Sequence, residues 1–171
     1  MFVFDASTLI LLAKVELLDT FLEGVGQPVV IPKEVEKECC GSAKTFDALL
    51  IRKAVDEKRI GVLAVKERTL FSRIRRDFPL GQGEAEAIAL AVSEKATIVG
   101  IDDKQAINAC KLLGIAFTTA ISILIGMQEK GLIRREDALG KLEALERFGR
   151  YRTSIIRDAR SRLEAKQEEP T

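Results

Sequence analysis

Apolar and polar positions in this chain fall into blocks whose period switches between that of a strand and that of a helix. Phe2-Val3-Phe4 is a short apolar run that stops at Asp5. Leu9, Ile10, Leu12 and Leu17 then recur at helical spacing, with Ser7 or Thr8 placed to cap the helix they predict. Val29-Val30-Ile31 repeats the arrangement: Pro32 suits a first helical turn, and Lys33 to Cys40 follow as a helix. Residues 45–58 read as a helix, Ile60 to Val65 as a short or edge strand, and 66–77 as a basic helix or loop ending before Pro79. Gly81-Gln82-Gly83 opens a helix from Glu84 to Lys95, and Ala96 to Ile101 is apolar and β-branched enough for a buried parallel strand ending at Asp102-Asp103.

The rhythm continues to the end of the chain. A helix over 103–113 closes on Gly114, Ile115-Ala116-Phe117 forms a strand, and a helix over 118–130 closes on Gly131. Residues 134–166 are helical and rich in charge, with ten basic and six acidic side chains, and 167–171 form a frayed tail. Alternation of strands and helices predicts an α/β fold: a central, mostly parallel sheet flanked by helices in three layers.

Composition narrows the chemistry. At 171 residues one substantial core is expected, since a domain of this size buries roughly 70% of its unfolded surface. No apolar run reaches the roughly 18 residues of a membrane helix, and the N-terminus lacks the basic segment and cleavage site of a signal peptide, so a cytoplasmic protein without membrane contact is expected. Cys39, Cys40 and Cys110 are odd in number and lack CxxC spacing, which predicts reduced packing residues. Histidine is absent, which excludes Ser-His and Cys-His catalysis and imidazole metal ligands. Catalysis must then draw on carboxylates, Lys, Ser, Tyr or a metal.

The carboxylates carry the argument. Ligands of open parallel sheets bind beyond the carboxyl ends of strands, where Asp5 and Asp102 fall; helix capping is the alternative for either one. Glu86 lies in a helix apolar on nearly all sides, where a carboxylate is rarely tolerated without a partner or a metal. Glu84 is about 200° from it around the helix, so only one of the two is expected to reach the site directly. Glu84 otherwise compensates the helix dipole. After Pro32, Glu38 shares a face with Val35 and Cys39 and is the acid turned inward; Glu34 is a weaker candidate on the same side. Asp103 reads equally as a ligand or a helix cap, and Ser7 as a partner of Asp5 or a cap. Two such carboxylates about 4 Å apart repel by roughly 4 kcal/mol at an effective dielectric of about 20. A hard divalent cation reverses that penalty, and an all-oxygen donor set suits Mg²⁺ or Mn²⁺ better than Zn²⁺.

Val3-Phe4-Asp5-Ala6-Ser7-Thr8-Leu9-Ile10 resembles the opening motif of PIN domains, the fold of VapC-type toxins. Gly83-Glu84-Ala85-Glu86-Ala87-Ile88-Ala89-Leu90-Ala91 and Ile101-Asp102-Asp103-Lys104-Gln105-Ala106 resemble the third and fourth acidic blocks of prokaryotic PIN proteins, especially a subfamily with a GEAEA helix. The resemblance covers Met1 to about Gly131. It implies a PIN-like nuclease domain over 1–131 and a charged helical extension over 132–171 packed on the same domain. It further implies a metal-dependent endoribonuclease with Asp5, Glu38, Glu86 and Asp102 as catalytic acids. Asp5, Glu86, Asp102 and Asp103 would serve as ligands of Mg²⁺ or Mn²⁺, with Ser7 and Glu84 secondary. Glu86 stands where many VapC-like proteins have Asp, so its carboxylate reaches further from the same backbone.

Net charge is only +1, so no global field attracts nucleic acid. Local basic stretches at 66–77 and 134–166 could contact phosphates, or form solvated helix faces. The expected partners are RNA, a small antitoxin protein if the chain is the toxin of a toxin-antitoxin pair, and a second copy in a homodimer. The alternative from another class is a catalytically inactive PIN-like scaffold or partner-binding module.

Overall fold

The computed structural model describes residues 1–41 and 44–165. Five strands, β1 (Phe2–Phe4), β2 (Val29–Pro32), β3 (Ile60–Leu63), β4 (Ile98–Gly100) and β5 (Phe117–Thr118), form one sheet in the order β3-β2-β1-β4-β5, with every pairing parallel. The chain lays β2 and β3 on one side of β1 and then crosses to the other side for β4 and β5. Strand order therefore reverses between β1 and β4, and the carboxyl ends of those two strands border the crevice that such a reversal opens.

Helices connect the strands: α1 (Ala6–Lys14), α2 (Leu18–Gly24), α3 (Lys33–Cys40), α4 (Phe46–Asp56), α5 (Arg68–Asp77), α6 (Gln82–Ser93), α7 (Lys104–Leu113) and α8 (Ala120–Glu129), followed by α9 (Arg135–Phe148) and α10 (Thr153–Glu164). The two faces of the sheet follow from the period-two alternation of the strands. Phe2 and Phe4 stack at 4.8 Å, and Phe21 of α2 meets both edge-on. On the opposite face Val3, Val30 and Val99 join Ala85, Ile88 and Ala89 of α6 and Ala106 and Ala109 of α7 in one buried cluster. Alanine-rich α6 is thin enough to lie close against the sheet, and Gly100 completes the fit on the first face, where a Cβ would collide with the Phe4 ring.

The chain divides into two compact units, Met1–Ala120 and Ile121–Thr171. The first holds the whole sheet and every acidic candidate. In the second, α9 and α10 pack through Ala138, Leu142, Leu145, Ile156, Ala159 and Leu163, and Arg162 bridges to Glu129 at 2.7 Å.

Several boundaries differ from the sequence reading for local reasons. The cap of α1 is Asp5, whose Oδ1 accepts from the Thr8 N–H at 2.9 Å, so Ser7 and Thr8 lie inside the helix. That helix stops at Lys14 instead of running through Leu17, because Glu16 takes a left-handed conformation (φ 56°) and α2 starts anew at Leu18. Residues 134–165 hold two helices, broken around Gly149, where a Cβ would meet the Leu145 carbonyl at 3.0 Å and the Tyr151 ring. Gly114 and Gly131 end their helices at positive φ (66° and 70°), as glycine permits. Residues 167–171, read as a frayed tail, lie outside the described residues.

Candidate active site

Asp5 follows β1 directly, and its N–H donates to the Gly100 carbonyl at the end of β4 at 3.0 Å. Asp102 lies two residues beyond that same glycine. Both carboxylates thus stand at one edge of the sheet, at the ends of adjacent parallel strands, because the register pairs Phe4 with Gly100.

Asp5 is fully buried. Its Oδ2 accepts from the Ser7 hydroxyl at 2.7 Å and its Oδ1 from the Thr8 N–H, and no ion pair among the described residues reaches it. Burial pushes its pKa up to about 7; the Ser7 hydroxyl and the Thr8 groups oppose that rise, and the Asp102 charge adds a smaller push upward. The Thr8 hydroxyl is itself buried beside the carboxylate and lacks an aligned hydrogen-bond partner. Asp102 Oδ2 accepts from the Ala120 N–H at 2.9 Å.

The remaining acids come from α3 and α6. Glu86, 6% exposed, is the other buried carboxylate of the chain's described residues; its Oε2 accepts from the Glu34 N–H at 3.3 Å, and Arg68 reaches Oε1 at 4.0 Å. This ties α6 to the first turn of α3, whose far end is closed by Arg52 donating to the carbonyls of Cys40 and Gly41. Glu38 leans against Gly83: a Cβ there would stand 2.5 Å from Glu38 Oε1, so the missing side chain is what admits this carboxylate. Burial raises the Glu38 pKa, as do the charges of Glu34, Glu84 and Glu86, while a hydrogen bond from the Gly83 backbone lowers it.

Two candidates are engaged in capping. Glu84 Oε2 accepts from the Gly81 N–H at 2.7 Å, closing the start of α6, and burial raises its pKa. Asp103 Oδ1 accepts from the N–H groups of Gln105 and Ala106 at 2.7 and 3.0 Å as the cap of α7. The charge of Asp102 acts on Asp5, those of Glu34, Glu84 and Glu86 on Glu38, and that of Asp103 on Glu84, each raising the pKa of the group it acts on. Among the described residues, no three His, Cys, Asp or Glu side chains close on a point that could hold a metal ion. The donor chemistry nonetheless fits a hard cation. Among the described residues Asp5 is a buried oxygen donor without a counter-charge, and Mg²⁺ is commonly held by one or two carboxylates with water filling the other positions.

The cysteines take no part in such a site. All three are free, and burial raises the Cys39 thiol and brings Cys110 up to about 11, which leaves neither as a thiolate at neutral pH. Gly83 and Arg68 are the site residues that sequence reasoning did not single out. Gly83 reads in the sequence as a helix-opening glycine at the head of the Glu84–Glu86 block, and Arg68 as part of a basic stretch. No helix among the described residues is long and apolar enough to cross a membrane.

A family model described as a PIN domain matches residues 1–164. Comparison with curated proteins and with solved structures found no match.

Proposed function

This chain belongs to the PIN-domain family, a nuclease-type fold, and on that premise we propose that it is a Mg²⁺- or Mn²⁺-dependent endoribonuclease acting at the crevice beside Asp5 and Asp102. The observation that carries the reading is Asp5: a fully buried carboxylate, at the reversal of strand order, with no cation paired to it among the described residues. A folded protein tolerates such a group by protonating it or by binding a cation there.

Asp5 and Asp102 would hold the ion, with water filling its other positions and with Glu86 and Glu38 on the wall beside them. A bound divalent cation supplies an activated water at neutral pH and a clamp for the phosphodiester oxygens. The chain's own groups prepare that place. Ser7 fixes the Asp5 carboxylate by donating to Oδ2, the Ala120 N–H fixes Asp102, and the Glu34 N–H fixes Glu86. Gly83 leaves room for Glu38, whose raised pKa suits it to take up a proton more readily than an exposed glutamate. Asp103 and Glu84 are occupied as helix caps and support the site from behind.

One observation favours a second reading. Glu86, Glu84 and Asp103 all have partners within the protein, as acids of a non-catalytic PIN-like binding module would. A cleavage assay on a structured RNA separates the two: Mn²⁺-dependent products absent from an Asp102→Asn preparation support the nuclease, and intact RNA at every metal concentration supports the module. A toxin with a small antitoxin as its partner is the setting that the family resemblance supports. Growth arrest on induction, relieved by co-expression of an adjacent small gene, is the result expected of it. A homodimer is part of the same proposal and is read from the mass in solution.

A further inference from the structure

Helix α5 runs beside α6 and carries most of its cations on one exposed side. Arg68, in its first turn, is the cation that reaches the buried Glu86, at 4.0 Å, yet its side chain is 71% exposed. Its guanidinium therefore stands beside the Glu86 carboxylate with most of its donors facing water. Arg75 lies seven residues further on, within about 20° of Arg68 around the helix and roughly 10 Å along it. It is exposed and makes no ion pair among the described residues, whereas Arg76 is tied to Asp77 at 2.8 Å. Arg73 is turned about 140° away and lines an apolar groove with Leu70, Ile74, Phe78, Val92 and Leu113.

We propose that Arg68 and Arg75 form a track for the RNA phosphate backbone leading into the crevice, and that Arg68 exchanges Glu86 for the phosphate nearest the acids when RNA arrives. Two cations about 10 Å apart cannot grip one phosphate, so they address different phosphates of the same strand. Arginine suits the exchange, because its planar fork pairs with carboxylate and phosphate in the same geometry. A 4.0 Å contact to an exposed partner is weak, which leaves Arg68 free to change partners at little cost. This inference rests on the endoribonuclease reading for its substrate, and its test does not depend on cleavage.

Binding of a fluorescein-labelled single-stranded RNA is measured by anisotropy across a salt series, in EDTA, with melting curves confirming that each variant is folded. Arg68→Ala and Arg75→Ala each weaken binding about tenfold at low salt, and each lowers the slope of log affinity against log salt by about 1. Arg68→Lys keeps the slope and recovers part of the affinity, and Arg73→Ala changes neither. Equal losses in all three alanine variants would reduce the effect to net charge and overturn the track. So would an Arg68→Ala variant with wild-type affinity and slope, or a wild type that binds no RNA. A protein that cleaves no RNA with Mn²⁺ yet shows the Arg68- and Arg75-dependent slope would sink the nuclease reading and leave the track standing. A nuclease indifferent to Arg68→Ala would do the reverse.

Discussion

The two buried carboxylates among the described residues, Asp5 and Glu86, are held in opposite ways. Glu86 reaches across to α3 and receives the Glu34 N–H on one oxygen and the Arg68 guanidinium near the other. Among the described residues Asp5 receives only neutral donors from its own helix, the Ser7 hydroxyl and the Thr8 N–H, and its pKa is driven up to about 7. Neutral donors offset part of the desolvation of a buried charge; they do not replace an opposite charge. On the proposed reading, the β1–β4 crevice is where a cation gains most, and the α3–α6 seam is a wall with partial compensation of its own.

The largest effect expected from breaking this contrast is on cleavage. Asp102→Asn keeps the volume of the side chain and an oxygen for the Ala120 N–H while removing the charge that faces Asp5. Outer partners of metal ligands are worth about 10- to 100-fold in activity, so loss of a direct ligand lowers the rate by more than about 100-fold. Metal-free stability stays level or rises, because a charge that opposes Asp5 is gone. Rates with Mn²⁺ and melting temperatures measured on the same preparations check both parts.

Asp5→Asn tests the other half of the comparison, through stability. The folded pKa of Asp5 lies above its ordinary value of 3.8, so the folded state holds a proton that the unfolded state releases between about pH 4 and 7. Wild-type stability without metal falls as pH rises through that window and levels above it. Asp5→Asn escapes that loss, so its advantage over wild type is absent near pH 4 and reaches on the order of a few kcal/mol at pH 8. Urea unfolding in EDTA across this range measures it. Mn²⁺ restores the wild type at pH 8, by about 2.7 kcal/mol at 100 times the dissociation constant, and leaves Asp5→Asn unchanged.

Smaller effects separate the wall from the crevice. Gly83→Ala places a Cβ against Glu38 Oε1, the far end of a flexible side chain, so stability changes by less than about 1 kcal/mol, the helix preference of alanine offsetting the clash. Glu38 is displaced, and cleavage falls by about tenfold. Glu84→Ala removes the hydrogen bond to the Gly81 N–H and lowers stability by about 1 kcal/mol, with little change in rate. A Glu84 variant as inactive as Asp102→Asn would dissolve the distinction between cap and ligand.

Much of this contrast was legible in the sequence, and the rest depended on contacts that no local pattern encodes. Asp5 and Asp102 were readable as strand-end acids because each follows a short apolar run. Glu86 was readable because a carboxylate interrupts an all-apolar helix. Strand order was not legible, since the period of a strand says nothing about its neighbours, and only the order placed Asp5 and Asp102 side by side. The break after Lys14 was hidden because Leu17 keeps the helical spacing across a residue of positive φ. The room made by Gly83 for Glu38, and the reach of Arg68 to Glu86, arise between elements distant in sequence. Asp103 and Glu84 each read in the sequence as a helix cap or a ligand, and one oxygen of each accepts a capping hydrogen bond, which the sequence pattern alone does not show.

Direct Mn²⁺ binding tests the central claim, that the crevice between β1 and β4 is the metal site. Titration calorimetry of the wild type, Asp5→Asn and Asp102→Asn in the absence of RNA measures it. The account predicts saturable Mn²⁺ binding by the wild type and its loss in either variant, each of which remains folded. Binding of equal affinity in all three, or none by the wild type, would contradict it.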